Sequence, residues 1–418
     1  MKHKITLLLL LVFSSTSWAV KISDYSPFVY EVLFTNPSCR TYSYDRPMIS
    51  HSGQNLDAKP QGVYCKNADE ELSVSRKNSP HYRLIEWITN SDTRELYVAY
   101  LSFRNTSVAK AFCSALNNGV KLTMILDGKE NKQAENLKKC GQVNLVYRGN
   151  TGGLGYAHNK ILMVNPNDAK VSKVVFSSGN LTTGTSINHE NWNFITTSSK
   201  SYFSQAHKCV VEAMVEAGDT KANFTKNLNT CREKIKAQPE SDITVFFSPI
   251  DGKKALEQVT ESARQATLIE GISHRFSGAL TKLIAREVQA GKKVKFILDD
   301  DIYWSEKLKK NVGRNTKYEA FEIFNTLINR GMETKFLETN QNIYQLQHNK
   351  FLIFTFNNTG AVFSGAGNLT TSAFTKNFEN FYYIRIPEVV EAYNRQYDLY
   401  FDKMGTDLMD MPRDNVMP

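Results

Sequence analysis

Short apolar runs alternate with amphipathic patterns along most of the chain, and the series occurs twice. Residues 96–103 and 120–127 have the apolar pattern of buried β-strands, and 267–273 and 292–300 repeat it. A helical pattern separates the later pair, with one apolar face formed by Leu280, Leu283, Ile284 and Val288. Alternating strands and helices predict an α/β protein whose sheets carry helices on their faces.

A strand preceded by His-x-Lys is the clearest repeated feature. HNKILMV begins at residue 158 and is followed by FSSGNLTT and NHEN, whereas HNKFLIF begins at residue 348 and is followed by FSGAGNLTT and NFEN. The equivalent residues are 190, 190, 188 and 189 positions apart: His158 and His348, Lys160 and Lys350, Asn180 and Asn368, Glu190 and Glu379. Four matches in one order at a near-constant offset indicate a duplicated domain.

The repeat divides the chain into two similar halves, joined near 237–241. Residues 20–78 have no recognisable counterpart in the second half, so we interpret them as an extension pinned by disulfides. The predicted segments are a signal peptide at 1–19, the extension at 20–78, the first half at 79–236, the second half at 242–400 and a tail at 401–418.

The first 19 residues have the pattern of a secretory signal peptide. Lys2 and Lys4 precede an apolar run over residues 7–13, and Ser17-Trp18-Ala19 fits a cleavage site. A retained anchor is the alternative, but the run is far shorter than the roughly 20 residues that span a bilayer. We therefore expect export to the periplasm or the extracellular space.

Export makes disulfides the expected state of the cysteines. The six residues are Cys39, Cys65, Cys113, Cys140, Cys209 and Cys231, and they allow 15 connectivities. Pairing in sequence order would close three loops of 20 to 30 residues. The chain has no CxxC or HExxH motif, so structural bridges are favoured over a metal site.

Composition narrows the class of partner without identifying it. A hydrophobic content of 41% excludes an intrinsically disordered chain. Lys and Arg total 51 against 42 Asp and Glu, a net charge of +9. This surplus favours anionic partners, either nucleic acid or an acidic lipid surface with peripheral contact, and leaves the oligomeric state open.

The repeated motif itself has the chemistry of a phosphate site. Side chains alternate along a strand, so the His and Lys of HNK lie on one face. In the GN element, the glycine lets the backbone approach a ligand closely, and the asparagine supplies an amide donor. Two copies related by a pseudo-twofold axis would supply a nucleophile and a proton donor on opposite sides of one phosphorus, with lysines and asparagines stabilising the oxygens. This chemistry requires no metal or cofactor.

These motifs resemble those of the phospholipase D superfamily, which has paired HxK motifs each followed by a G/S-x-N element. The resemblance covers most of residues 79–400 and implies two mixed sheets flanked by helices, packed as an intramolecular pseudo-dimer. It also implies a covalent phosphohistidine without a metal, formed on His158, with His348 as general acid and base. The other implied residues are Lys160, Lys350, Asn180 and Asn368 at phosphate, Ser178 and Ser364 as further donors, and Glu190 and Glu379 orienting the imidazoles.

One position of the family pattern differs in both copies. The family motif is HxKxxxxD, and Asn165 and Thr355 stand at the Asp positions. Tyrosyl-DNA phosphodiesterases are similar in lacking this Asp. Outside the motif, His274 follows a predicted strand and could reach the pocket, and Asp299–Asp301 are expected to be solvated rather than to bind a cation.

The sequence therefore predicts an exported, metal-independent phosphodiesterase. A phospholipid head-group ester is the favoured substrate, and a secreted nuclease acting on DNA or RNA is the alternative. A catalytically inactive phosphate- or membrane-binding module is a third possibility, which the two intact HNK copies disfavour.

Overall fold

The fold was analysed in a computed structural model. It describes residues 20–22, 28–37, 40–64, 73–128, 130–150, 154–218, 220–274, 276–303, 325–339 and 345–413. The predicted signal peptide at 1–19, Cys39 and Cys65 lie outside the described residues.

The first sheet is built from eight strands. The N-terminal strands are β1 (Val20–Ile22), β2 (Val29–Thr35), β3 (Arg40–Ile49), β4 (Asn55–Tyr64), β5 (Glu95–Tyr100), β6 (Lys121–Asp127), β7 (Val143–Arg148), β8 (Lys160–Val164), β9 (Val171–Ser177) and β10 (Glu190–Ser198). Their order in the sheet is β1-β2-β10-β9-β8-β5-β6-β7, and β3 and β4 form a separate hairpin. Only the β5–β6 and β6–β7 pairs are parallel, so the sheet is mixed.

The second sheet repeats this arrangement. Its strands are β11 (Ile243–Ser248), β12 (Leu268–Ser273), β13 (Lys293–Asp299), β14 (Glu333–Leu337), β15 (Lys350–Thr355), β16 (Gly360–Gly365), β17 (Glu379–Ile384) and β18 (Thr406–Asp407). They lie in the order β11-β17-β16-β15-β12-β13-β14-β18, with β12–β13 and β13–β14 parallel. The predicted α/β class with two similar mixed sheets is confirmed.

Helices connect and cover the strands. They are α1 (Pro80–Thr89), α2 (Thr106–Asn117), α3 (Lys132–Leu137), α4 (Gly184–Ile187), α5 (Tyr202–Glu216), α6 (Lys221–Arg232), α7 (Gly252–Gln265), α8 (Ala279–Gln289), α9 (Thr371–Thr375) and α10 (Pro387–Asp398). Asn105 illustrates how they begin, because its side chain accepts from the Val108 backbone N–H. Among the described residues, no helix has the length and apolarity to cross a membrane.

A shared hydrophobic core joins the two halves. Phe176 of β9 and Tyr382 of β17 stack with ring centroids 3.6 Å apart, and both are buried. α5 and α10 contribute to the same core through Val210 and Tyr393. Each half buries a second core on its other side. The halves therefore pack through apolar faces, and the ends of their equivalent strands meet at one place.

Two predicted boundaries need correction. The extension at 20–78 does have a counterpart in part, because β2 pairs with β10 as β11 pairs with β17. A seven-residue strand without the repeated motif gave no sequence signal for this equivalence. The tail at 401–418 is folded in part, since β18 covers the otherwise open edge of β14.

The β3–β4 hairpin follows a strand of the first sheet but packs on the second half. Tyr44, Met48 and Leu56 are buried in the core of the second half. The hairpin also forms a bridge between Ser50 and Pro412. The N-terminal segment thus holds both halves together.

Two disulfides join sequential cysteines, Cys113–Cys140 and Cys209–Cys231. Their sequence separations are 27 and 22 residues. Closing loops of this size stabilises a fold by about 3 kcal/mol in the chain-entropy model. We expect the Cys209→Ser/Cys231→Ser double variant to lose about this free energy of unfolding in urea titration, with activity retained below the transition. An unchanged midpoint would contradict a stabilising role.

Candidate active site

The two HNK segments enter the interface by pairing with the opposite half. The His158 backbone N–H donates to the Phe378 carbonyl at 2.9 Å, and the His348 N–H donates to the His189 carbonyl at 2.9 Å. Each contact accompanies a short parallel bridge, Ala157 with Phe378 and His189 with Gln347. Each histidine is therefore fixed by the backbone of the other half.

The two glutamates pair with the histidines in the same crossed manner. Nδ1 of His158 lies 2.7 Å from Oε2 of Glu379, and Nδ1 of His348 lies 2.8 Å from Oε1 of Glu190. Both carboxyls are about 1% exposed. A carboxyl group at Nδ1 fixes the ring and leaves Nε2 for chemistry. Gly179 is required beside Glu190, because a Cβ there would lie 1.7 Å from Oε2.

The two lysines are buried beside the histidines. Lys160 is 0% exposed, and its Nζ lies 3.0 Å from the His158 carbonyl oxygen and 3.4 Å from Nε2 of the ring. Lys350 is 1% exposed and donates to the His348 carbonyl. Burial lowers the pKa of Lys160 to about 8, against the opposing charges of Glu379 and Glu190. Buried ammonium groups of this kind are suited to an anionic ligand.

The electrostatics of the two histidines differ. Burial lowers the pKa of His158, and the charge of Glu379 partly opposes that effect. Burial, followed by the charge of Lys350, lowers the pKa of His348 well below its usual value. Burial also raises the pKa of Glu190 to about 8, despite the charge of Lys350. At neutral pH the Glu190–His348 pair therefore retains a proton on the carboxyl.

The motif asparagines lie next to this cluster. Asn368 lines a cavity together with His158 of the other half. Among the described residues, no group bonds the buried Oδ1 of Asn180 or of Asn368. An amide oxygen only accepts hydrogen bonds, so phosphate binding through the Nδ2 donors of these residues stays a prediction.

The predicted serine donors are already engaged in the protein. Ser178 Oγ accepts from the Asn191 N–H at 3.0 Å. Ser364 Oγ accepts from Nδ2 of Asn191 at 3.0 Å and contacts the Tyr393 hydroxyl at 3.4 Å. Their geometry is that of support beneath the site, and their binding of phosphate stays a prediction.

The sequence alone gave no role to the last asparagine of NHEN and of NFEN, which are Asn191 and Asn380. Oδ1 of Asn380 accepts from the Lys160 backbone N–H at 2.8 Å, again across the halves. Nδ2 of Asn191 bonds Ser364 and the Tyr393 hydroxyl, each at 3.0 Å. The recurrence of this asparagine in both copies was the signal available in the sequence.

Asp127 and Asp299 hold the backbone just before each histidine. Oδ1 of Asp127 accepts from the Ala157 N–H at 2.7 Å, and Oδ2 of Asp299 accepts from the Gln347 N–H at 2.5 Å. The expectation of solvated acids at Asp299–Asp301 is wrong, because all three are buried. Asp299 and Asp300 accept hydrogen bonds from backbone N–H groups at the strand end.

One group of side chains near the site has the residue types of a metal centre. Ligand atoms of His274, Asp299 and Asp301 all lie within 4.8 Å of one another. Both oxygens of Asp299 accept hydrogen bonds from protein groups, and Asp301 Oδ2 lies 3.3 Å from His274 Nε2. Asp299 therefore holds backbone N–H groups at the end of the second-half strand.

The two positions at which the family motif has Asp lie outside the cluster of histidines and lysines. Asn165 follows the last residue of β8, roughly 17 Å along the strand from Lys160 at about 3.3 Å per residue. Its Oδ1 accepts from the Arg94 and Glu95 N–H groups at 2.8 and 3.2 Å. Thr355 likewise ends β15. The Asn165 Nδ2 also donates to the Asp92 carbonyl at 2.8 Å, a contact that a carboxylate could not make, so Asn165 serves a turn away from the histidines.

A cavity of about 460 Å³ opens beside His158. Its lining includes Leu101, Asn368 and the 53%-exposed ring of Tyr156. Gly155, from the glycine-rich segment 149–155, also lines it, while residues 151–153 lie outside the described part. The cavity has room for a group attached to the reacting phosphorus.

Comparisons with known proteins identify one matching family. The sequence model of one family, described as cardiolipin synthase, PLD-like domain, matches residues 84–214 and 256–401. No curated protein sequence matches the chain.

Among solved structures, the fold is similar to phosphatidylserine synthase from Haemophilus influenzae. The TM-score is 0.56 at 12% identity, covering 83% of this chain and 89% of that one. Nuc, a phospholipase D family member from Salmonella typhimurium, is 23% identical over 40% of this chain and 96% of its own, with a TM-score of 0.31. Polyphosphate kinase from Porphyromonas gingivalis is 13% identical over 76% of this chain, with a TM-score of 0.48, and this chain spans 47% of it.

Proposed function

Because the chain belongs to the cardiolipin synthase, PLD-like domain family, we propose that it cleaves phosphodiesters through one active site shared by its two halves. The observation that carries this proposal is the crossed pairing of His158 with Glu379 and of His348 with Glu190. Two oriented imidazoles beside two buried lysines suit displacement at phosphorus.

The reaction proceeds in two displacements. Nε2 of His158 attacks phosphorus, the bond to the leaving oxygen breaks, and that oxygen takes the proton from Nε2 of His348. A water or alcohol then attacks the phosphohistidine and gives its proton to His348, and the P–N electron pair returns to His158. Lys160 and Lys350 stabilise the charge on the nonbridging oxygens. No step requires a metal ion.

The protonation states of His158 and of the Glu190–His348 pair support these roles. A lowered pKa keeps Nε2 of His158 unprotonated and nucleophilic near neutral pH. The Glu190–His348 pair retains a proton because the pKa of Glu190 is about 8. As Nε2 of His348 releases its proton to the leaving group, Glu190 supplies its own to Nδ1.

The pH–rate profile is expected to be bell-shaped. Activity rises as His158 loses its proton, at a pKa below the usual 6.5, and falls near pH 8 as the Glu190–His348 pair and Lys160 each lose a proton. Initial rates between pH 4.5 and 10 would measure both limbs. The Glu190→Gln variant should lose one of the two protons of the upper limb, which then becomes less steep, and an unchanged slope would contradict the assignment to Glu190.

For the substrate, we infer a phospholipid head-group ester. The cavity beside His158, with Leu101 and polar Asn368 in its lining, supports an amphiphilic ester. The description of the family as cardiolipin synthase supports the same choice. A nuclease is the alternative, favoured by the net charge of +9 and by the exposed Tyr156 ring, on which a base could stack.

One assay separates the substrate classes. The mature protein is incubated with mixed vesicles of phosphatidylcholine and phosphatidylglycerol, and separately with plasmid and single-stranded DNA, all in EDTA. We expect release of the lipid head group or its exchange with added alcohol, and no nicking. Nicking without lipid turnover would establish the nuclease, and restoration of activity only by added metal would contradict the metal-independent mechanism.

An inactive binding module is the least supported alternative. A chain that only binds phosphate has no need of two imidazoles fixed by glutamates, and both pairs are complete. Phosphate binding with no turnover of any diester would favour this module.

We also propose export, directed by the predicted signal peptide at 1–19. The two disulfides within the first half support an oxidising compartment. N-terminal sequencing of the mature protein should begin after Ala19, and recovery of an intact N-terminus from the cytoplasm would contradict export.

A further inference from the structure

The two halves differ at one position beside the reacting histidines. Tyr100 pairs with Lys160, and Ser273 pairs with Lys350, so the next residues, Leu101 and His274, occupy equivalent places. Leu101 lines the cavity at His158. The same place beside His348 holds an imidazole, which breaks the pseudo-symmetry of the site.

His274 is built into the second half as an Asp–His pair. The side chain is buried, and its Nε2 lies 3.3 Å from Oδ2 of Asp301. Its ring centroid lies 5.8 Å from that of His348, with the rings tilted by 55°. The centroids are close enough for one hydroxyl oxygen beside the rings to reach a nitrogen of each at ordinary hydrogen-bond lengths.

We propose that His274, held by Asp301, binds the entering hydroxyl, water or alcohol, that resolves the phosphohistidine. This inference rests on the proposed function, in which the entering hydroxyl lies on the side of His348. His274 accepts a hydrogen bond from, or donates one to, this hydroxyl, and His348 takes its proton as the oxygen attacks phosphorus. The P–N bond breaks and its electron pair returns to His158. A leaving oxygen departs from the same side of phosphorus, so the first displacement is independent of His274 only when the leaving group needs no proton.

Separation of the two displacements tests this role. Bis(p-nitrophenyl) phosphate has a leaving group that departs without a proton, so wild type should release one p-nitrophenolate per site in a burst before slower steady turnover. We expect His274→Leu, which copies the first half, to keep the burst and to lower the steady rate by about 10- to 100-fold. Addition of ethanol should accelerate steady turnover in wild type and much less in the variant.

Two further variants distinguish loss of this role from a folding defect. His274→Gln keeps a hydrogen-bonding group and should recover part of the steady rate, and Asp301→Asn should show the same selective loss. His51→Gln removes an exposed imidazole of the hairpin and serves as the matched control, with burst and steady rate unchanged.

Failure of the inference and failure of the proposed function give different results. A burst and steady rate that fall together in His274→Leu and His274→Gln, or that both stay at the wild-type level, would overturn the role of His274. No burst and no phosphoenzyme in wild type would instead overturn the proposed function, and the role of His274 with it.

Discussion

Replacement of either active-site histidine is expected to stop turnover of an alkyl phosphodiester. His158→Ala removes the nucleophile and should lower kcat by at least about 10⁴-fold. His348→Ala removes the proton donor and should lower kcat by about 10²- to 10⁴-fold. The double variant should be little worse than the His158 variant alone, because both residues serve one reaction.

The leaving group separates the two roles. A p-nitrophenyl diester needs little protonation, so His348→Ala should still form the phosphoenzyme from it, whereas His158→Ala should not. The measurement is the burst of p-nitrophenolate in stopped flow, with His51→Gln as the control. A phosphoenzyme burst in His158→Ala but not in His348→Ala would reverse the assignment.

Loss of a glutamate is expected to disable the histidine of the opposite half. Glu379→Gln replaces the carboxylate 2.7 Å from Nδ1 of His158 with an amide that no longer fixes the ring in its reactive tautomer. We expect kcat to fall by about 10²- to 10⁴-fold, as for other oriented catalytic imidazoles. The phosphorylation step should slow, because His158 performs the attack.

Glu190→Gln is the matched variant for His348. It should slow the release of poor leaving groups and spare p-nitrophenyl diesters, although the residue belongs to the first half. Phosphorylation of His158 measured by rapid quench distinguishes the two variants. If each glutamate variant impaired the histidine of its own half instead, the crossed pairing would be contradicted.

The duplicated motif predicted the fold class and the chemical groups of the site. It did not predict which half each glutamate serves, because local and crossed pairing have the same sequence. The crossing follows from the bridges of Ala157 with Phe378 and of His189 with Gln347, which are contacts between distant segments. Such contacts depend on how the two sheets pack, and no local pattern records them.

Other features that the sequence did not predict also have specific physical reasons. β2 lies at the place of β11, but a short strand that only fills a sheet position needs no particular residues. Asp299–Asp301 have the composition of a solvated strand end, and only the path of the following chain shows that Asp299 and Asp300 accept from backbone N–H groups. The sequence places His274 after a strand and within reach of the pocket, whereas its proximity to Asp301 depends on the fold.

The most direct test of a single shared site is the number and position of phosphohistidines. The enzyme is mixed with excess substrate, quenched at alkaline pH to preserve phosphohistidine, and digested for mass spectrometry. The crossed geometry predicts at most one phosphoryl group per chain, carried by the peptide that contains His158. Two phosphorylated histidines per chain, one in each HNK motif, would show independent sites, and their absence during turnover would contradict covalent catalysis.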